Sequence, residues 1–134
     1  MRKIILFVLL ATFSSFGYNP TPYTKAQVEA FIREVYADQA DDLVLESDSD
    51  RLAIIEDFLA RVQIKTGAEY AGKKFSLLSE LSLQNKYNPE LRRDAVFDPA
   101  TFNPLKYRFA MMARERQVFR VDGTDYIILI HAIR

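Results

Sequence analysis

A chain of 134 residues with 18 basic and 18 acidic side chains, one histidine, no cysteine and no tryptophan has narrowly bounded chemistry. It can form no disulfide, thiol nucleophile, lipid-modified N-terminal Cys or c-type haem attachment, and with one histidine neither a Cys/His zinc site nor HExxH is available. Balanced charge gives no overall attraction to nucleic acid, and no P-loop or GxGxxG occurs to hold a nucleotide.

The first predicted element is a leader. In MRKIILFVLLATFSSFGYNP, Arg2 and Lys3 form a positive end, Ile4 to Ala11 a short apolar core, and Ser15 and Gly17 carry the small side chains of a signal-peptidase site. The sequence thus predicts a signal peptide over 1–17 and one mature domain over 18–134, periplasmic or secreted. The apolar run over 4–16 falls short of the roughly 20 residues a helix needs to cross a bilayer, so no stable membrane insertion is expected after cleavage. The mature part has the length of a single domain, in which roughly two thirds of the unfolded surface is buried. It holds 16 basic and 18 acidic groups, a net charge of −2.

Thr24 followed by Gln27 reads as a capping box, and Val28, Phe31, Ile32, Val35 and Tyr36 recur at helical spacing, which predicts a helix over about 24–40. Glu29 and Arg33 add an i,i+4 pair on its polar side. A second helix follows ESDSD, capped by Ser49 or a neighbouring Asp, with Leu52, Ile55, Phe58, Leu59 and Val62 on its buried face. Two ends stay open. The helix runs to Thr66 and Gly67, or it stops near Ala60 with VQIKT extended; LVLE before it is likewise helix or strand.

From Lys73 the pattern moves towards period two. Phe75, Leu77, Leu81 and Leu83 share one parity, which favours a strand, although Leu77 and Leu81 also suit a helix. YRFAMMA sets Tyr107, Phe109, Met111 and Ala113 on one side. In VFRVDGTDYIILIHAI, Asp122-Gly123 between two β-rich runs predicts a type I′ hairpin, pairing Arg120 with Asp125, Phe119 with Tyr126 and Val118 with Ile127. Apolar residues on both faces of 127–133 predict a central strand. The fold class is therefore α+β: two N-terminal helices packed on a C-terminal antiparallel sheet of three or more strands ending in an Asp-Gly hairpin.

Between these elements lies KYNPELRRDAVFDPATFNPLKY, residues 86–107, with three prolines each behind Asn or Asp. Proline presets φ and the preceding Asx side chain accepts a local backbone hydrogen bond, so each pair starts a tight turn. The segment reads as an ordered connection, or as a loop presenting Tyr87, Arg92, Arg93 and Tyr107 to a partner.

Two charge runs are the remaining candidates. Residues 38–50 carry six acids and no base, as a solvated connector, a calcium loop or a source of catalytic carboxylates; the EF-hand pattern fails because Arg51 stands where glycine is required. Residues 106–120 carry five bases and one acid, and Arg114, Arg116 and Arg120 would line one sheet face if the strand were continuous, a ligand-binding surface for an anionic partner. That run equally suits pairing with the acids of 38–50. His131 sits in an apolar strand with no GxSxG serine to serve. No cofactor and no metal are expected. The functional expectation is an exported, non-enzymatic binding module of a bacterial envelope with a protein or anionic partner. Its alternatives are a carboxylate hydrolase using Asp48 and Asp50, and a subunit whose sheet edge pairs with another chain or a second copy.

Overall fold

A computed structural model describes residues 23–134, and the predicted leader lies outside them. Helix α1 spans Lys25–Tyr36. Its start is the expected reciprocal cap: the Gln27 N–H donates to Thr24 Oγ1 at 3.1 Å, and the Thr24 N–H donates to Gln27 Oε1 at 2.9 Å. The five residues of the apolar stripe are all buried. Arg33 pairs with Glu29 at 3.0 Å and with Asp41 at 3.1 Å; both contacts are solvent-exposed and contribute little to stability.

The helix ends earlier than its pattern suggests because Ala37 turns out at φ +50°, ψ −126°, while its N–H still reaches Arg33 O. A side chain in that region is strained, and glycine is not. Ala37→Gly is therefore expected to stabilise the fold by about 1 kcal/mol, read as a higher urea midpoint; a lower midpoint contradicts the strain. A short 3₁₀ turn and one wide turn, closed by the Glu46 N–H to Asp41 O at 2.8 Å, then carry the acidic run onward. They fold Ala40 and Val44 into the core.

Helix α2 spans Arg51–Ala60 and buries Ile55, Phe58 and Leu59. No side chain of Asp50 caps it, and Ser49 Oγ accepts a long bond of 3.3 Å from the Arg51 N–H. Val62, placed by periodicity on this helix, instead begins strand β1, Val62–Lys65. The earlier stop is fixed by Arg61. Its guanidinium pairs with Asp57 at 3.1 Å and donates to the His131 carbonyl at 2.8 Å and to the Met111 carbonyl, while its own carbonyl accepts from the His131 N–H.

Strands β2 (Ser76–Leu77), β3 (Gln117–Arg120) and β4 (Ile127–Ile130) complete a mixed helix-and-sheet fold of the α+β kind, in the order β1-β4-β3-β2. Strand β4 lies between β1 and β3, antiparallel to both, and its four apolar residues are buried, as their presence on both faces requires. The sheet is not antiparallel throughout, because β2 runs parallel to β3.

Three sequence expectations change. In FSLLSELSL only Ser76 and Leu77 belong to a strand; a 3₁₀ turn over Leu78–Glu80 swings Leu78 into the core. YRFAMMA forms no strand. Its inward alternation is present, with Tyr107 and Phe109 buried and Met111 partly so, but the ladder stops at a single Leu83–Tyr107 bridge. The Gln117 side chain occupies both the Ala110 N–H (3.2 Å) and its carbonyl (2.8 Å), taking the place of a strand partner.

The third change is register. Arg120 faces Ile127, and the Val121 N–H bonds the Tyr126 carbonyl at 3.0 Å, so the connection is two residues wider on the β4 side than a type I′ turn gives. Gly123 has φ +69° while Asp122 keeps a negative φ, which excludes type I′. The Asp122 carboxylate is drawn to Ser79, and Thr124 Oγ1 donates to the Val121 carbonyl at 2.8 Å and accepts from the Tyr126 N–H at 3.0 Å. These bonds hold the wider loop and remove the expected Arg120–Asp125 ion pair.

Candidate functional site

The proline-rich segment is irregular backbone held by side chains. Each Asx-Pro pair forms the local turn its composition implies: the Asn88, Asp98 and Asn103 side-chain oxygens accept from Glu90, Ala100 and Leu105 N–H groups at 3.2, 2.9 and 2.9 Å. The two asparagines also donate, which the aspartate cannot. Asn88 Nδ2 reaches the Glu34 carbonyl at 2.9 Å, and Asn103 Nδ2 reaches the Phe31 carbonyl at 3.1 Å and Glu34 Oε1 at 2.9 Å. Glu34 lies in the last turn of α1, where carbonyls lack intrahelical partners, and the Phe31 carbonyl takes Asn103 as a second donor beside its helical bond, so the loop is stitched to that helix.

A third tie is Lys106, only 4% exposed, whose Nζ lies 2.8 Å from Asp94 and 3.9 Å from Glu34. Around it an aromatic chain runs from Tyr126 through Phe97, Phe102, Tyr107 and Phe109 to Phe119, with neighbouring ring centroids 5.0 to 6.2 Å apart. Burial, with the Asp94 carboxylate nearby, pushes the Tyr107 phenol up from its ordinary pKa. Tyr87 stacks on Tyr36 at 5.0 Å, and Arg51 lies over Tyr36 and donates to the Tyr87 hydroxyl at 3.3 Å. That bond holds the Tyr87 phenol below its usual value.

Two concavities flank Tyr107. The larger, about 450 Å³, lies between the 93–97 stretch and the β3–β4 connection; Ser79, Arg93, Val96, Phe97 and Asp122 are among its lining residues. Val96 is 81% exposed, an unusual position for a large apolar side chain. Arg93 bonds the Leu81 carbonyl and holds its guanidinium 5.9 Å from the Tyr107 ring centre. The smaller cavity, about 260 Å³, opens between α1, α2 and residues 105–111.

Chemistry in the larger groove is limited by its one hydroxyl–carboxylate pair. Ser79 Oγ donates to Asp122 Oδ2 at 2.6 Å and the Ser79 N–H donates to Oδ1 at 3.1 Å; these bonds hold the Asp122 carboxyl below the ordinary range, which makes it a weak base. The only imidazole is elsewhere, with His131 Nε2 3.0 Å from Gln63 Oε1, so Ser79 has no base to activate it. Because the folded-state pKa of Asp122 is depressed, its contribution to stability is present above the unfolded value of about 3.9 and is lost as pH falls through the folded value. The stability gap between wild type and Ser79→Ala is expected at pH 7 and should close in strong acid; equal urea-midpoint gaps at both pH values would contradict the linkage.

The predicted arginine face is not brought together. Strand β3 starts at Gln117, which leaves Arg114 and Arg116 exposed in irregular backbone. Arg120 is turned inward, donating to the Tyr70 carbonyl at 2.8 Å and the Lys73 carbonyl at 3.3 Å with its guanidinium over Phe75. Among the described residues no ion pair joins the basic run to the acids of 38–50. Asp48 and Asp50 are exposed and line neither cavity, and no group of three metal-ligating side chains occurs among the described residues. Of the loop candidates, Arg93 and Tyr107 line the larger groove, Tyr87 packs on Tyr36, and Arg92 is exposed. Reading the sequence missed the Ser79–Asp122 and Asp94–Lys106 pairs, which carry no local signal. Against known proteins, no family model, curated protein or solved structure matches this chain.

Proposed function

We propose that this chain is a small exported, non-enzymatic binding protein of a bacterial envelope or extracellular space, with the groove beside Tyr107 as its contact surface. The observation that carries this reading is the proline-rich loop. It is irregular backbone, yet three side-chain ties, from Asn88, Asn103 and Lys106, hold it against α1. A loop fixed in this way presents Val96 and Phe97 to solvent as a preorganised apolar contact, which lowers the ordering cost of binding. The partner it suits is a protein segment that inserts an apolar side chain beside Phe97. Arg114 and Arg116, exposed and without ion pairs among the described residues, are the cationic contacts available to an anionic partner; Arg120 is occupied internally. No observation favours the carboxylate-hydrolase reading.

Affinity capture with residues 18–134 from the envelope of the source cell tests the proposal. An identified partner retained by wild type should be reduced at least tenfold by Val96→Asp, with circular dichroism unchanged. The paired charge reversals Arg114→Glu and Arg116→Glu report whether the partner is anionic. A partner retained equally by wild type and Val96→Asp removes the groove from the proposal, and cytosolic protein still carrying residues 1–17 removes export.

A further inference from the structure

The smaller cavity has a different chemistry and does not depend on the groove. Val35, Ile55 and Phe58, each 2% exposed or less, form its deep wall, and Met111 stands among its less buried lining residues. Polar side chains are few. Gln84 and Arg108 line it as well, and neither donates its side-chain amide or its terminal guanidinium nitrogens to another group among the described residues.

Arg108 is held in one direction only. Its Nε donates to the Leu83 carbonyl at 3.1 Å, and its backbone N–H donates to the Ser82 carbonyl at 3.0 Å. Those bonds anchor the stem and leave both Nη nitrogens free as a fork. A carboxylate accepts such a fork through two parallel bonds. Gln84 is positioned nearby by its own N–H, which donates to the Lys106 carbonyl at 2.7 Å, and its amide can donate to the same anion. An apolar chamber beside one guanidinium suits a monoanion better than a phosphate dianion, since desolvating a second charge there has no second cation to offset it.

We infer that this cavity binds a small amphipathic carboxylate, with its hydrocarbon body between Phe58 and Met111 and its carboxylate on Arg108 and Gln84. Size sets the length of the body. An apolar cavity of about 150 Å³ takes a benzene ring, so one of about 260 Å³ takes a chain of about eight carbons and not a long-chain fatty acid.

Isothermal titration with sodium octanoate is the direct test, with hexanoate, dodecanoate and octanamide as comparisons. Octanoate should bind one to one with a Kd on the order of 0.1 mM, hexanoate more weakly, and dodecanoate no more tightly than octanoate. Octanamide, which keeps the body and loses the charge, should bind at least tenfold more weakly. Arg108→Gln should weaken octanoate at least tenfold and leave octanamide unchanged. Met111→Trp should fill the chamber and abolish binding of both; the substitution leaves the Met111 carbonyl for Arg61 and adds a fluorescent reporter of folding to a chain that has no tryptophan. No saturable heat from octanoate at several millimolar overturns the site. Equal affinities for octanoate and octanamide, or undiminished binding by folded Arg108→Gln, overturn the carboxylate assignment.

Discussion

Asn103→Asp should destabilise the protein by about 3 kcal/mol at pH 7, one of the two largest effects expected of any single change described here. Asn103 is 2% exposed and uses both ends of its amide. Aspartate keeps the bond from the Leu105 N–H but has no donor, so the Phe31 carbonyl, which keeps its helical bond, loses its second partner and the tie between loop and helix is broken. It also sets a carboxylate against Glu34, whose Oε1 lies 2.9 Å from the present donor. Like charges at that distance disfavour ionisation of one partner. The penalty should therefore shrink as pH falls and a protonated carboxyl donates again. Glu34→Gln in the same chain should recover part of the loss. Asn88→Asp, at a partly buried position with one carbonyl partner, should cost about 1 kcal/mol. Urea unfolding of wild type and the three variants at pH 7 and pH 4 checks the set. An Asn103→Asp penalty no larger than that of Asn88→Asp would show that the tie to α1 carries little of the fold.

Phe102→Ala should cost about 4 kcal/mol, in the range of buried aromatic truncations. The ring is 1% exposed, with Phe97 at 5.1 Å and Tyr107 at 5.5 Å on its two sides. Neither neighbour can close the space without leaving its own contacts, because Phe97 also packs on Tyr126 and Tyr107 on Phe109. Phe97 and Tyr107 both line the larger groove, so a Phe102→Ala protein that still folds in the cold should also lose partner capture. Phe97→Ala, at a half-exposed position, should cost about half as much in stability and abolish capture as well. Thermal and urea unfolding measure the first effect and the pull-down measures the second. A Phe102→Ala cost below about 2 kcal/mol would mean that the aromatic chain is loosely packed.

What could be read from the sequence depended on whether a residue's partner was local. The α1 stripe and its Thr24–Gln27 box were legible because both follow from residues within one or two turns. The three Asx-Pro turns were legible for the same reason, down to the acceptor role of each side chain. The choice of Asn at 88 and 103 but Asp at 98 held further information: the two asparagines donate to α1 and the aspartate does not. The hairpin register was misjudged because Asp122 answers to Ser79, 43 residues earlier. The arginine face required a strand continuous over 114–120, and the strand begins at Gln117 while Arg120 serves carbonyls of Tyr70 and Lys73 in a stretch with no pattern of its own. The period-two signal of 107–113 was real as burial and misleading as a strand, since Gln117 supplies by side chain what a neighbouring backbone would have supplied. The site followed suit: the loop was visible as ordered, while its grooves depend on pairings between distant segments.

The order β1-β4-β3-β2 also bears on how the protein is made. Strand β4 is the last of the four to leave the ribosome, yet β1 and β3 both hydrogen-bond to it. At about 5 to 20 residues per second of synthesis, β1 waits several seconds for a partner, and no smaller part of the sheet can form around it in the meantime. A nascent polypeptide that cannot close its sheet leaves Val62 and Ile64 exposed to chaperones until β4 is made.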